Sequence, residues 1–410
     1  MPITDRDCSI YRFINYGKKQ IAVDYSGDDA YKKSQNIKQM KKVIFSTNLP
    51  SPYRVDFFNE LGKYCDLTVV YERQSSTERN AAWIGCEAYN FKEVYLDLEL
   101  VGVDQSKGSA LRKYIKDNNS DILVFTNYVS PAVMEAIIWC RFHGREYYME
   151  YDGGFNKKDS AHKRILKQFL LKGAKGHLTT ADEHIRYLIS LGIKENTIHK
   201  YPFTSISEED ILAANRLTVD KQFYKDKLGI KEEMVILSVG RFSYNKGYGK
   251  GFDILMRVAP SLPSNVGIYI VGDEPTKEFL KWKNDGNLQH VHFIGFKDKN
   301  SLAEYYAAAD IFTILTRGDV WGLVVNEAMA YGLPVVASNR CIAALEMVKD
   351  GENGYIVDIN NLNKLSTIYT NLLLDLDLQK RMSENSLRIV GFHTRKCMVD
   401  RHLGVWNLTR

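Results

Sequence analysis

From Lys42 onward, short runs of β-branched and aromatic residues alternate with amphipathic stretches of helical period. The first series comprises Val43-Ile44-Phe45, Leu67-Thr68-Val69-Val70-Tyr71, Phe91 to Leu96, Ile122-Leu123-Val124-Phe125 and Tyr147-Tyr148-Met149. A second series follows: Val235 to Val239, Ile268-Tyr269-Ile270-Val271, Val291-His292-Phe293-Ile294, Ile311 to Leu315, Pro334-Val335-Val336-Ala337 and Tyr355-Ile356-Val357. Strands alternating with helices imply parallel sheets, and two such series imply two Rossmann-like, doubly wound α/β domains in tandem. In such sheets ligands bind beyond the carboxyl ends of the strands, so the residues just after each strand are where chemistry is to be sought, in a cleft between the domains.

The pattern sets the boundaries. Residues 1–40 are polar, carry Asp28-Asp29 and Lys32-Lys33 and show no sustained periodicity, which predicts a poorly ordered leader or appended segment. Residues 41–204 form the first domain and 205–232 a charged, helical connection. Ser205, Ser207 and Glu208-Glu209-Asp210 are suited to cap its start. Residues 233–391 form the second domain, and 392–410 a terminal helix with the option of crossing back to the first.

Composition narrows the class. At 410 residues the chain exceeds what a single core supports, and 45% hydrophobic with 26% charged residues is the balance of a globular protein. A formal net charge of +5, dispersed along the chain, gives no case for nucleic acid as a partner. The cysteines Cys8, Cys65, Cys86, Cys140, Cys341 and Cys397 lack zinc or disulfide spacing and suit a reducing, cytoplasmic setting. No run approaches the ~18 apolar residues of a spanning helix, and no signal core opens the chain.

The strongest chemical signal is Asp319-Val320-Trp321-Gly322-Leu323-Val324-Val325-Asn326-Glu327, running from a strand end into a helix. Gly322 lets backbone approach a ligand, and the amides near Gly322, Leu323 and Val324 suit a diphosphate. Glu327 is placed to accept hydrogen bonds from a ribose diol, and Asp319 from sugar hydroxyls. The alternative is a capped helix with solvated acids. The second signal is Gly240-Arg241-Phe242 after a strand, followed by Lys246-Gly247 and Lys250-Gly251-Phe252-Asp253. Arg241 and a lysine can grip a pyrophosphate and stabilise it as it departs, or the stretch is a solvated basic loop. Neither a phosphate-loop nor a dinucleotide fingerprint is present.

Together these residues resemble the family-4 glycosyltransferases of GT-B fold, over the chain from Lys42 to the C-terminus. Gly240-Arg241-Phe242 to Leu255, Val271-Gly272-Asp273, Phe293-Ile294-Gly295-Phe296, the Asp319–Glu327 stretch and Gly332-Leu333-Pro334-Val335-Val336-Ala337 occur in the family's order. The resemblance implies a retaining transferase that moves a sugar, by default from a UDP donor, to a surface polysaccharide or lipid-linked glycan. It implies Arg241 with Lys250, or alternatively Lys246, as diphosphate clamp, Glu327 as ribose ligand, Asp319 as sugar contact, and Ile294-Gly295-Phe296 at the base. Asp319 stands where the family usually has Glu, and the loop after Arg241 is about four residues longer.

In the first domain, Pro52-Tyr53-Arg54 resembles the family's loop at the cleft floor, although Pro52 would start a helix in any case. Glu150-Tyr151-Asp152-Gly153-Gly154 stands where the family places its acceptor-side polar group: Asp152, or Glu150, or else a structural turn. No metal or other cofactor is expected, because Arg241, Lys250 and helix amides carry the leaving-group charge. Asp375 and Asp377 fall in the apolar helical run Leu372 to Leu378 and read as helix surface.

Residues 157–172 place Ile165, Leu166, Phe169 and Leu170 on one face among basic residues, suited either to an anionic membrane surface or to packing on the sheet. Two other functions compete with transfer: a nucleotide-sugar epimerase of similar shape, and a non-catalytic binding partner.

Overall fold

The structure is a computed structural model that describes residues 12–16, 19–23, 40–73, 87–96, 108–155 and 159–408. Most of the predicted leader lies outside the described residues. Within it, strands β1 (Arg12–Tyr16) and β2 (Lys19–Val23) pair antiparallel, an element that the polar pattern of 1–40 does not predict. This segment is a compact unit by itself, and Lys41–Arg410 form the other.

The larger unit contains two parallel sheets. The first has seven strands in the order β5-β4-β3-β6-β7-β8-β9. These are β3 (Lys42–Thr47), β4 (Asp66–Tyr71), β5 (Lys92–Tyr95), β6 (Ile122–Phe125), β7 (Tyr148–Glu150), β8 (Gly176–Thr179) and β9 (Ile198–Lys200). The second has six in the order β12-β11-β10-β13-β14-β15. Its strands are β10 (Met234–Val239), β11 (Val266–Val271), β12 (Val291–Ile294), β13 (Ile311–Ile314), β14 (Val335–Ser338) and β15 (Gly354–Val357). Central strands such as Ile122–Phe125, Val266–Val271 and Ile311–Ile314 are buried along their whole length, which is why they are apolar at successive positions.

Strands β8 and β9 are missed by the pattern. His177 and Thr179 are buried polar residues inside β8, and three-residue β9 is half-buried, so neither presents an apolar run.

Helices Glu208–Leu217 and Lys221–Leu228 join the two sheets. The first begins with a reciprocal capping box between Ser207 and Asp210, and the second ends at Gly229, whose φ of 68° closes it in the left-handed region. After the second sheet, Leu362–Leu374 and Leu376–Val390 break at Asp375. Leu372 to Leu378 is therefore not one helical run: Asp375 caps the second helix, its carboxylate accepting the Leu378 N–H at 2.8 Å. The last helix, Arg395–Val405, lies against Pro52–Leu61 of the first sheet's layer. Arg395 pairs with Asp56 at 2.9 Å, and the His402 and Phe57 rings lie 4.9 Å apart. One continuous apolar cluster, including Phe57, Tyr201, Phe203, Trp321 and Val325, runs from one sheet's layer to the other's.

Candidate active site

The loops at the carboxyl ends of the two sheets meet. Gly153, after β7, has φ 118°, and a Cβ there would lie 2.4 Å from the Val320 carbonyl oxygen, so only glycine allows this approach. Arg340 stacks its guanidinium over Phe155 at 4.5 Å. The Phe203 and Trp321 rings meet edge to face at 5.7 Å, and Asn326 donates to the Phe203 carbonyl at 3.3 Å. Asp152 and Asp319 thus belong to loops that touch.

On the second-sheet side, Lys250 Nζ donates to Asp319 Oδ2 at 2.5 Å, both side chains being about one-fifth exposed. Glycines build this corner. Gly251 has φ 75° and passes so close to the Leu315 carbonyl that a Cβ would sit 2.0 Å from its oxygen. Gly322, φ 102°, opens helix Leu323–Ala330, whose first turn carries no side-chain cap. The N–H groups of Leu323 and Val324 open this helix just after Asp319, and an uncapped helix start suits an anion.

Glu327 lies inside this helix and is half-buried. Burial raises its pKa, while the hydroxyls of Tyr306, donating to Oε2 at 3.0 Å, and Ser205, donating to Oε1 at 3.3 Å, pull the other way. Ser205 comes from the connection between the sheets, so the carboxylate is aimed by both.

Arg241 follows β10 and is exposed. Its loop is fixed from β11: Asp273 accepts the N–H of Phe242 and, at 3.0 Å, that of Ser243. Ile294-Gly295-Phe296 closes edge strand β12 at the same end of the sheet, and the Phe296 side chain is 46% exposed. Lys246 is exposed in the turn Tyr244–Gly247 with φ 52°, whereas Lys250 is the lysine that meets Asp319.

On the first-sheet side, the residues separate by depth. The Asp152 carboxylate, next to Gly153 in the chain, is 37% exposed and pairs with Arg54. Arg54 and Glu150, expected to line the acceptor side, are instead buried behind it. Glu150 Oε1 accepts from Arg54 Nη1 at 2.7 Å and from the Tyr201 hydroxyl at 2.8 Å, which removes it from reach of a substrate hydroxyl. Burial opposes its ionisation, but the charge of Arg54 and the proximity of His402 outweigh that and hold its pKa at about 2. Pro52 is the first residue of helix Pro52–Leu61 after Ser51, and Tyr53 packs edge-on against Phe203 at 5.7 Å.

Three participants were missed by the pattern. Tyr306 and Ser205 orient Glu327 from positions far away in the chain. Arg317 binds the buried Asp253 carboxylate bidentately at 2.6 and 2.8 Å, tying the Lys250 loop to the Asp319 loop. A cation two residues before Asp319 is the one cue the sequence offers for it.

The sequence profile of the family described as "Glycosyl transferases group 1" matches residues 220–388, which contain Arg241, Lys250, Phe296, Asp319 and Glu327. An uncharacterized glycosyltransferase of Haemophilus influenzae is 31% identical over 289 residues, covering 67% of this chain and 73% of that protein. The chain belongs to the group 1 glycosyl transferases. The lipopolysaccharide glucosyltransferase WaaG of Escherichia coli is 29% identical over 182 residues, 44% of this chain and 46% of that protein, so this match spans about half of each. Among solved structures, Anabaena HepE in complex with UDP aligns with TM-score 0.68 at 17% identity, covering 90% of this chain and 100% of that one. Two parallel sheets with facing loops are the GT-B fold of these glycosyltransferases. Asp152 and Arg54 lie outside the profile's span.

Proposed function

We propose that this glycosyltransferase moves a sugar from a nucleoside-diphosphate donor, UDP-linked in the first instance, to a hydroxyl of a surface polysaccharide or lipid-linked glycan, with retention of anomeric configuration. The observation that carries the proposal is the convergence of Lys250, Asp319 and the uncapped start of helix Leu323–Ala330 at the loop that touches Gly153, next to Asp152.

In this reading the diphosphate sits on the Leu323 and Val324 amides and between Arg241 and Lys250. Glu327 accepts the ribose hydroxyls, the base lies along Ile294-Gly295-Phe296, and Asp319 orders the sugar. Asp152 orients the acceptor hydroxyl. As the bond from anomeric carbon to phosphate oxygen breaks, negative charge grows on the diphosphate, and in this reading Arg241, Lys250 and the helix amides stabilise it. The acceptor oxygen enters from the side that the diphosphate leaves, and its proton passes to a phosphate oxygen or to Asp152. Those cations do the work of a metal, so transfer is proposed to proceed in a chelator. The link to surface glycans rests on relatives such as WaaG, and the UDP default on HepE's ligand.

The proposed enzyme works at the cytoplasmic face of a membrane. Among the described residues no helix is long and apolar enough to cross one. Helix Ala161–Leu171 exposes Ile165 (63%), Leu166 and Phe169, while Leu170, expected on the same face, is buried with Leu171 in the sheet's layer. Arg141 stacks on Phe169 at 4.4 Å, and the neighbouring Phe142 is 77% exposed. Lys157 and Lys158 lie outside the described residues, and Lys167 is paired with Asp159 at 2.8 Å. Exposed aromatic and branched residues among cations suit contact with an anionic bilayer.

The function is tested by incubating the protein in EDTA with UDP-glucose, UDP-galactose, UDP-N-acetylglucosamine and GDP-mannose singly, with glycolipid acceptors, and following products by mass spectrometry. Donor hydrolysis or transfer supports the reading. Isomerisation without nucleotide release would make it an epimerase, and silence with every donor a binding protein.

A further inference from the structure

The ion cluster behind Asp152 has no part in the chemistry above. Glu150 is the last residue of β7, and Asp152 lies two positions on, beyond the strand. Both meet Arg54, from the first turn of helix Pro52–Leu61: Nη1 donates to Glu150 Oε1 at 2.7 Å and Nη2 to Asp152 Oδ1. The Arg54 and Glu150 side chains are 3% and 0% exposed, and the rings of Phe203 and Phe57 flank the guanidinium at 5.3 and 6.0 Å.

Glu150 is itself held from below. The Tyr201 hydroxyl reaches its Oε1 at 2.8 Å and the Tyr151 carbonyl at 3.0 Å. His402 Nε2, from the terminal helix, stands 3.7 Å from the same Oε1, while its Nδ1 donates to the Met398 carbonyl at 2.7 Å. The chain of hydrogen bonds runs from Tyr201 through Glu150 and Arg54 to the Asp152 carboxylate.

A buried ion pair is a weak source of stability, because apolar side chains of similar volume usually do as well. What it supplies is a fixed direction. A guanidinium gripped on one nitrogen by a buried carboxylate leaves its other nitrogen at a defined place, and the residue found there is Asp152.

We propose that Arg54 is a positioning residue for transfer: anchored by Glu150, it fixes the Asp152 carboxylate toward the acceptor. This rests on the acceptor-side reading of Asp152. Arg54 acts through Asp152 and touches no substrate.

The test compares wild type with Arg54→Lys, the double variant Arg54→Met/Glu150→Gln and Asp152→Asn, using the donor and acceptor found by the panel above, with UDP binding measured by calorimetry. The double variant removes both buried charges together and so leaves neither stranded. It is expected to lose at least about tenfold in kcat or in acceptor KM, with donor KM and UDP affinity unchanged. Arg54→Lys, which keeps a cation with one contact, falls between it and wild type. Wild-type kcat and acceptor KM in the double variant overturn the proposal, as does an equal loss on the donor and acceptor sides, which is the mark of a merely structural role. If the double variant does not fold, Arg54→Lys decides: an acceptor-side loss at unchanged donor KM supports positioning, and wild-type kinetics refute it. Asp152→Asn separates the two levels, since wild-type transfer by that variant removes the acceptor-side reading of Asp152 itself.

Discussion

Lys250 and Asp319 close on one another at 2.5 Å at the start of helix Leu323–Ala330, a cation and an anion from loops 69 positions apart in the chain. The pair sets the register between the glycine-rich loop after β10 and the helix start. In a donor complex Lys250 has a second anion to serve, the leaving diphosphate, and Asp319 a second donor set, the sugar hydroxyls.

Lys250→Ala removes one preorganised positive charge. It should cost at least about 10²-fold in kcat, the scale seen when one stabilising group is removed from a developing negative charge. A partly exposed ion pair contributes only about 1 kcal/mol or less to stability, so the melting temperature should change little. Steady-state kinetics beside a thermal melt distinguish this from unfolding. A wild-type rate would remove Lys250 from the site.

Glu327 carries the opposite expectation. Because burial raises its pKa, its ionisation works against the folded protein: the folded form holds the proton more tightly than the unfolded chain, and stability declines as pH rises through that range. Glu327→Gln keeps the Tyr306 contact without the charge. At neutral pH it should stabilise the unliganded protein by about 1 kcal/mol, within the usual range for such relief at functional sites, and weaken donor binding. A less stable variant with full affinity would contradict the assignment.

Gly153→Ala should push the two loops apart. Its φ of 118° is strained for any side chain, and the added methyl meets the Val320 carbonyl. A cost of about 1–3 kcal/mol is expected from the backbone alone, together with a fall in turnover larger than that of Gly154→Ala, whose Cβ meets nothing within 4 Å. Equal effects at the two glycines would show that contact with Val320 does not matter.

The acid side of the stability curve should be set by two buried histidines in the first sheet's layer. Burial lowers the pKa of His177 and of His184 to about 4, and neighbouring charges add to it. Between pH 6.5 and 4 the unfolded chain therefore binds protons that the folded chain refuses, so stability rises with pH there by up to about 1.4 kcal/mol per pH unit for each histidine. Urea titrations at pH 7.0, 6.0 and 5.0 should show the midpoint falling. His184→Phe should flatten the dependence, and an unchanged slope would locate the effect elsewhere.

Binding to membranes should follow the exposed face of helix Ala161–Leu171. Sedimentation with phosphatidylglycerol vesicles should carry the wild type down at low salt and release it at high salt. Ile165→Ser/Phe169→Ser should stay in the supernatant while remaining folded. Equal binding to phosphatidylcholine vesicles would speak against an anionic surface.

Much of the second sheet was legible in the sequence because β11, β13 and β14 are buried at every position, and the candidate site residues follow its strands directly. Gly240-Arg241, Val271-Gly272-Asp273 and Asp319 to Glu327 are each local stretches whose spacing carries their geometry. The first sheet yielded less. Its outer strands β8 and β9 are short and polar, and His177 occupies a core position that an apolar pattern cannot flag. The depth of Arg54 and Glu150 depends on a contact across 96 positions and on a terminal helix that returns from the far end of the chain. From the sequence each looks like a polar residue at a strand's end, as Asp152 does. Only packing tells which of them reaches the cleft.

Calorimetric titration of the wild type, Lys250→Ala and Glu327→Ala with UDP and with GDP in EDTA tests the donor site most directly. The wild type should bind one of the two nucleotides without metal, and both variants should lose at least about tenfold in affinity for it. Absence of binding by the wild type, or undiminished binding by both variants, would contradict the account.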